Sequence, residues 1–508
     1  MKGMAETIPW AADLAAAIAA HAGRVAVSDG NAVLRFADMG GLAGGVARWL
    51  LADGLRAGDP VVTSLGNTIP GVWGSVGARI AGAAEVALNA NLTEAERRYC
   101  VELSGARRAV TTRARAEAFR ALGCAVLCVE DVAAAEFAGL PPVPADAAGR
   151  IGFTSGTTGR PKAIVTSHGA RWIANLLQRA HFEVMPTPES AILLMTPFVH
   201  GAGLLAQAFH DRGAGILLLD GVETEKAARA LRERQVDFVF APPTVLAKLT
   251  AALEGESFPH VRTVFTGTAP LTAPLYRKAR AMFGPVIRVT YGKSEITNPI
   301  TELRPAECEA YYAEQPEGEG VCVGFPGTGV EIEIRDEHNA RLPRGEVGEV
   351  HLRGRHMSHG HIDANGFQPL PADGFHATGD LGRIDERGRL HLVGRVADVI
   401  KSGGYKIHPD EIEQALAGTA PAVAVVTLPS EYWGEVIVAV AEGADADWEA
   451  RARAALAALA RHKHPRAFLP RASLARNHQG KVMRRLIREE VLAEFTLKDG
   501  PYPELVPR

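Results

Sequence analysis

The stretch GFTSGTTGRPKAI, residues 152–164, places hydroxyls, glycines and one lysine directly after an apolar, strand-like segment. A Ser/Thr/Gly-rich loop behind a strand lets the backbone approach an anion closely. Its N–H groups and hydroxyls donate hydrogen bonds, and a lysine neutralises charge. The spacing departs from the common nucleotide loop, in which Lys-Ser/Thr follows the second glycine, because Pro161 precedes Lys162. Ser, Thr and Gly dominate ordinary turns too, so a shorter loop of this composition would say little. The full string over 154–162 is far more specific.

The 508 residues exceed one ordinary core; at about 150 residues per domain they suggest two to four packed units. A hydrophobic fraction of 47% and a charged fraction of 22% are those of a globular protein. The net charge of −3 gives no field that would favour nucleic acid or an acidic membrane. Cys100, Cys124, Cys128, Cys308 and Cys322 are odd in number and lack metal-ligand spacing, which fits buried, reduced thiols in a cytoplasmic protein.

Two segments could be mistaken for membrane signals. The Ala-rich run over 11–22 follows a basic residue near the N-terminus, but Glu6 and Asp13 interrupt this region. Its apolar residues recur at helical spacing, so an ordinary first helix is expected. The uncharged stretch 191–209 carries Pro197, His200, Gly201 and Gly203, which a lipid-facing helix tolerates poorly; strand, loop and helix are expected there, not a transmembrane segment.

Up to about residue 380, short β-rich runs alternate with helical stretches. AILLM (191–195), GILLLD (215–220), VDFVFA (236–241) and VRTVFTG (261–267) are strand candidates; EKAARALRER (225–234) and PTVLAKLTAAL (243–253) are helix candidates. This alternation is the signature of a helix-covered, mostly parallel sheet. From about Cys322 the strands become short and closely spaced, with DERG (385–388) as a hairpin turn. After Arg395 a third texture begins, that of a small α+β domain with helices at 408–418 and 447–462.

Five further motifs follow the loop in order: YGKSEIT (291–297), GEVGEVHLRG (345–354), ATGDLGRID (377–385), GRVADVIKSGGYKIHPDEIE (394–413) and NHQGKVMRR (477–485). With the loop they resemble the adenylate-forming superfamily: acyl- and aryl-CoA synthetases, adenylation domains and firefly-type luciferases. The closest pattern is that of the carboxylic acid–CoA ligases. The resemblance implies an α/β fold with a large N-terminal domain, 1–396, of helix-covered mostly parallel sheets plus a distorted β-barrel. A small mobile α+β C-terminal domain, 397–508, would follow.

By resemblance, Thr154, Ser155, Gly156, Thr157, Thr158, Gly159 and Lys162 wrap the β- and γ-phosphates of ATP. Glu295 is the expected Mg²⁺ ligand, since a hard cation prefers carboxylate and phosphate oxygens. Ser294, where the family more often has Thr, offers its hydroxyl to the α-phosphate. Tyr291, followed by Gly292, is expected against adenine, with Gly267, Thr268 and Ala269 lining the base. The family usually has paired glycines before that alanine, so Thr268 is a departure. Asp380 would accept both ribose hydroxyls, and Arg395 would contact the ribose or phosphate edge. Lys481 would bridge the substrate carboxylate and the α-phosphate.

His200 occupies the family's position between carboxylate and phosphate sites. Phe198, Val199, Leu204, Phe240, Val245, Leu246, Ile296 and Ile300 form an apolar list without an obvious counter-ion, and the stretch near His200 offers no acid to hold an ammonium. An aliphatic, alicyclic or aromatic acid is therefore expected, not an amino acid. Gly403 and Gly404 would form the face admitting the thiol of coenzyme A. At the pivot, where the family carries an acidic residue or lysine, this chain has Ala397, so an adenylating enzyme that hands the acyl group to a carrier protein stays open as an alternative acceptor. Dimers are common in that superfamily, making a homodimer the assembly to look for.

Overall fold

The apolar runs fold as the strands their patterning implies. The computed structural model describes residues 6–137, 139–154, 161–314, 320–476 and 482–508, without the side chains of His200 and Lys406. A seven-stranded sheet runs in the order Ile287–Thr290, Thr263–Gly267, Phe238–Phe240, Ala191–Leu194, Gly215–Leu218, Val25–Ser28, Val33–Arg35. All neighbours are parallel except the last pair. Every residue of Gly215–Leu218 and Thr263–Gly267 is buried, as strands covered on both faces require. Helices Gly203–His210, Thr224–Arg232, Pro243–Ala252 and Ala273–Phe283 make the crossovers. Pro243 starts its helix where a missing N–H costs nothing, and Gly284, at φ +85°, ends the last one. Because these strands run in parallel, the loops that leave them gather along one edge of the sheet, where α/β proteins bind ligands.

A second, eight-stranded sheet carries the phosphate-loop motif. Its order is Gly366–Pro369, Gly360–Asp363, Lys162–Ser167, Ala148–Thr154, Ala84–Ala87, Pro60–Ser64, Arg108–Thr111, Ala125–Cys128. Thr154 and Lys162 face each other across an antiparallel ladder. The region expected to be barrel-like is a six-stranded antiparallel sheet, an open path from Thr301–Glu302 to Val330–Arg335. The hairpin expected at 385–388 joins His376–Ile384 to Leu390–Arg395. The uncharged stretch 191–209 is strand, π-helical turn (Phe198–Ala202) and helix, and no helix among the described residues is long and apolar enough to cross a membrane. All five cysteines are buried and free.

The last sheet pairs Tyr405–Ile407, Ile400–Ser402, Gly434–Glu442 and Ala422–Ser430, with Ala467–Arg471 added in parallel beside Gly434–Glu442. Apolar clusters cover it, one around Trp448 and Ile412, the other around Leu474, Ile487 and Val491. The helix expected over 447–462 is shorter, Trp448–Ala455 followed by two 3₁₀ turns. Helix-favouring alanines there yield to a tertiary demand: the chain must turn back so that the Arg466 N–H reaches the Ile437 carbonyl and the parallel strand can start. The first helix, Trp10–His21, forms as expected.

Two interior histidines make this core acid-sensitive. His168 accepts the Trp10 indole N–H on Nδ1 at 2.9 Å, and burial pushes it down to about 3; His210, 3.0 Å from the Ala26 carbonyl, is pushed by burial to about 4. Unfolded imidazoles bind protons near pH 6.5 that the folded ones refuse, so unfolding takes up protons and stability falls as pH falls from about 6.5 towards 4. Each ring contributes a slope of about 1.4 kcal/mol per pH unit. Denaturant titrations between pH 7.5 and 5 should show this decline, and His210→Gln should flatten it; a pH-independent midpoint would contradict it.

Candidate active site

Gly267 ends its strand against Thr290, and a Cβ there would lie 2.3 Å from the Thr290 carbonyl oxygen, so only glycine fits. Thr268 follows at φ +69°. A β-branched residue in that left-handed region is strained, which explains why glycine suits the position and shows that this chain tolerates the strain at the site edge. Tyr291 leaves the neighbouring strand and is 6% exposed, its ring in an apolar cluster with Ile296, Ile300 and Met357. Gly292 and Ser294 continue this loop, and Ala269 continues that of Thr268.

The Tyr291 hydroxyl donates to the Asp380 carboxylate. Lys293, which the sequence reading missed, donates to Asp380 Oδ2 at 3.2 Å and to the Thr378 carbonyl at 2.8 Å. Arg395 lies opposite Asp380 in the hairpin register, with Nε 3.4 Å from Oδ1. Burial and then the Asp380 charge push the Tyr291 phenol well above its ordinary value, keeping it a hydrogen-bond donor. A signal for Lys293 was available: in extended chain, residues two apart share a face, and Lys293 stands two after Tyr291.

Glu295 is held through its backbone, its carbonyl accepting from Ser358 N at 2.8 Å, while Ile296 bridges to Met357. Its carboxylate has His376 Nε2 at 3.8 Å, and burial lowers the affinity of that ring for a proton. No cluster of three or more His, Cys, Asp or Glu side chains suited to a metal occurs among the described residues. A lone carboxylate beside a phosphate site fits Mg²⁺, which keeps several waters and takes phosphate oxygens.

On the acid side, Asn67 clamps the turn before His200. Its Nδ2 donates to the carbonyls of Thr196 (2.8 Å) and Leu219 (2.9 Å), and its Oδ1 accepts from Phe198 N at 2.7 Å. Arg150 donates to the Val199 carbonyl. His200 lies within the π-helical turn Phe198–Ala202. Phe198, Phe240, Val245 and Ile296 are buried, and Val199 and Leu204 half-buried. Phe198, Val199, Leu204 and Val245 follow the ends of strands Ala191–Leu194 and Phe238–Phe240, Phe240 closes the latter, and Ile296 lies on the loop after Ile287–Thr290, so all stand towards one edge of the sheet.

Ser155, Gly156, Thr157, Thr158, Gly159 and Lys481 lie outside the described residues. Arg484, just after the Lys481 segment, pairs with Asp398 (2.6 Å), Asp410 and Glu413 (2.6 Å). Ala397 is exposed in the 3₁₀ turn Val396–Asp398, beside that anchored aspartate. Gly403 and Gly404, at φ +57° and +83°, make the two-residue turn between Ile400–Ser402 and Tyr405–Ile407.

A protein-family model described as AMP-binding enzyme matches residues 14–361. The medium/long-chain-fatty-acid–CoA ligase FadD8 of Mycobacterium tuberculosis is 29% identical over 310 residues, 59% of this chain and 52% of that protein, so the match spans about half of that relative. The 2-succinylbenzoate–CoA ligase of Bacillus licheniformis is 28% identical over 91% of this chain and 96% of its own. The ATP-bound crystal structure of MatB from Rhodopseudomonas palustris is 25% identical with a TM-score of 0.82, covering 94% of this chain and 98% of that one. The chain belongs to the AMP-binding enzyme family. Its pattern is that of the adenylate-forming carboxylic acid–CoA ligases, a class that uses ATP, magnesium and coenzyme A.

Removing the Asp380 carboxylate strands Lys293 and Arg395 without their shared counter-ion. Breaking such a pair by deleting one partner costs about 3–5 kcal/mol when it is buried. Asp380→Ala should therefore lower the denaturation midpoint and raise the KM for ATP by about tenfold or more. Unchanged values of both would remove Asp380 from the nucleotide site.

Proposed function

We propose that the chain activates a small-molecule carboxylic acid with ATP to an acyl-adenylate and pyrophosphate, then transfers the acyl group to coenzyme A, releasing AMP. The observation that carries this reading is the meeting of Tyr291 and Lys293, on the loop that also carries Glu295 and leaves the same sheet as the Phe198–Val199 turn, with Asp380 and Arg395 of the antiparallel sheet. One end of the site is polar and built for a nucleoside; the other is apolar and suits an organic acid.

In the first half-reaction an acid oxygen attacks the α-phosphorus as pyrophosphate leaves. Thr154, Ser155, Gly156, Thr157, Thr158, Gly159 and Lys162 hold the β- and γ-phosphates, and Ser294 reaches the α-phosphate. Magnesium bound to Glu295 would supply positive charge to the phosphates. Lys481 bridges the two anions, and His200 orients the acid beside them; their attraction is made where charge develops. Asp380 and Arg395 hold the ribose while Tyr291, Gly267, Thr268 and Ala269 border the base. Phe198, Val199, Leu204, Phe240, Val245 and Ile296 enclose the acid.

In the second half-reaction the C-terminal domain, 397–508, turns against residues 1–396. It exchanges the Lys481 face for that of Gly403 and Gly404, and the thiol attacks the acyl carbon with AMP leaving. A carrier-protein thiol is the second reading of the acceptor, favoured by Ala397, which leaves the pivot without a polar side chain of its own.

Pyrophosphate release should require ATP, magnesium and an acid from a carboxylic acid panel. Thioester should form with coenzyme A; with only a carrier protein acting, the second reading holds. Lys481→Ala should slow adenylation by roughly 10²–10³. Failure of every acid to release pyrophosphate would overturn the activity.

A further inference from the structure

Beside the Phe198–Val199 turn lies a charged pocket that the apolar reading of the acid site did not anticipate. Glu85 is 2% exposed and accepts the Thr63 hydroxyl at 3.1 Å. Its Oε2 stands 3.8 Å from Arg150 and 3.6 Å from Arg171, with no other carboxylate in ion-pair distance of either arginine among the described residues. Arg79, also facing the pocket, donates to the Gln207 side-chain Oε1 at 2.6 Å. Two guanidinium groups thus share one adjacent carboxylate, and Arg79 adds a third positive charge to the pocket lining, offset more by Asp211 than by Glu85. Burial pulls Arg171 down to about 9, as expected of positive charge that its surroundings compensate poorly.

These groups, with Phe198 and Val199, line a cavity of about 30 Å³, room for two water-sized groups such as the two oxygens of a carboxylate. Arg171 is 4% exposed, and its Nε has no hydrogen-bond partner. Arg150, which lines the cavity, also lies on the strand that ends at Thr154. Arg150, Gly152 and Thr154 alternate along strand Ala148–Thr154, so their side chains share one face, and Arg150 and Thr154 are about 13 Å apart along it. Between them, a Cβ added at Gly152 would meet nothing within 4 Å among the described residues. The face of the strand that carries Arg150 is therefore unobstructed by the described residues at Gly152, midway to Thr154.

We propose that Arg150, backed by Arg171, Arg79 and Glu85, receives a second carboxylate at the far end of the substrate, making the preferred acid a dicarboxylic acid with an apolar middle. This rests on the acid-activating reading above. A guanidinium fork suits a carboxylate because it donates two parallel hydrogen bonds. A monocarboxylic acid of the same length would place an apolar end against surplus positive charge, leaving those donors unmatched.

The test is acid-dependent pyrophosphate release by the full chain with matched pairs: α,ω-dicarboxylic acids, monocarboxylic acids of equal length, and aromatic counterparts of each. The expected result is a kcat/KM about tenfold or more higher for the dicarboxylic member of at least one pair, carried mainly by KM. Arg150→Met should collapse that ratio and Arg150→Lys should restore part of it. Should Arg150→Met not fold, Gly152→Val fills the open space without touching the charges and should cut turnover of dicarboxylates more than that of short monocarboxylates. Monocarboxylates turned over as well as or better than every dicarboxylate would overturn this inference and leave acid activation standing. Pyrophosphate release with no acid at all would overturn both.

Discussion

One carboxylate joins two separately made parts of this molecule. Asp380 and Arg395 sit on paired strands of the antiparallel sheet, and Tyr291 and Lys293 on the loop leaving the parallel sheet. Without that anion the loop and the end of the hairpin would hold two cations and a phenol with no common acceptor. With it, the loop that also carries Ser294 and Glu295 is held at the carboxyl edge of the sheet. A carboxylate offers two acceptor oxygens and can serve several donors at once.

The same economy holds on the acid side. Asn67 and Arg150 reach backbone carbonyls and an N–H of the 196–199 turn, so the position of the π-helical segment is set by hydrogen bonds from the neighbouring sheet, not by its own short ladder. In the C-terminal part, Arg484 performs a comparable task, linking the segment after Lys481 to Asp398 beside the proposed pivot and to the helix Pro409–Ala415. Movement at Ala397 would then carry the lysine segment and the Gly403–Gly404 turn as one piece.

Much of this was legible in the sequence because it is local. The apolar runs over 191–195, 215–220 and 261–267 are strands since no other element buries so continuous a run in so few residues, and the motifs around Tyr291, Asp380 and Arg395 each lie within twenty residues. What stayed hidden joins distant positions: Lys293 to Asp380 across 87 residues, Asn67 to Phe198 across 131, Arg150 to Val199 across 49. The apolar list around Phe198 lacked a counter-ion because Arg150 belongs to the strand before the phosphate loop. The helix ending early at Ala455 and the left-handed Thr268 were likewise set by neighbours and not by propensity.

The central claim is that nucleotide and acid are held together, in line, by one continuous site. Calorimetric binding of a stable acyl-adenylate mimic, with a sulfamate in place of the reactive phosphate, tests it most directly. A mimic spanning both halves should bind at least about a thousandfold more tightly than AMP or the free acid alone, because one ligand then collects both sets of contacts. Affinity no better than that of AMP would mean that the two halves do not form a single site.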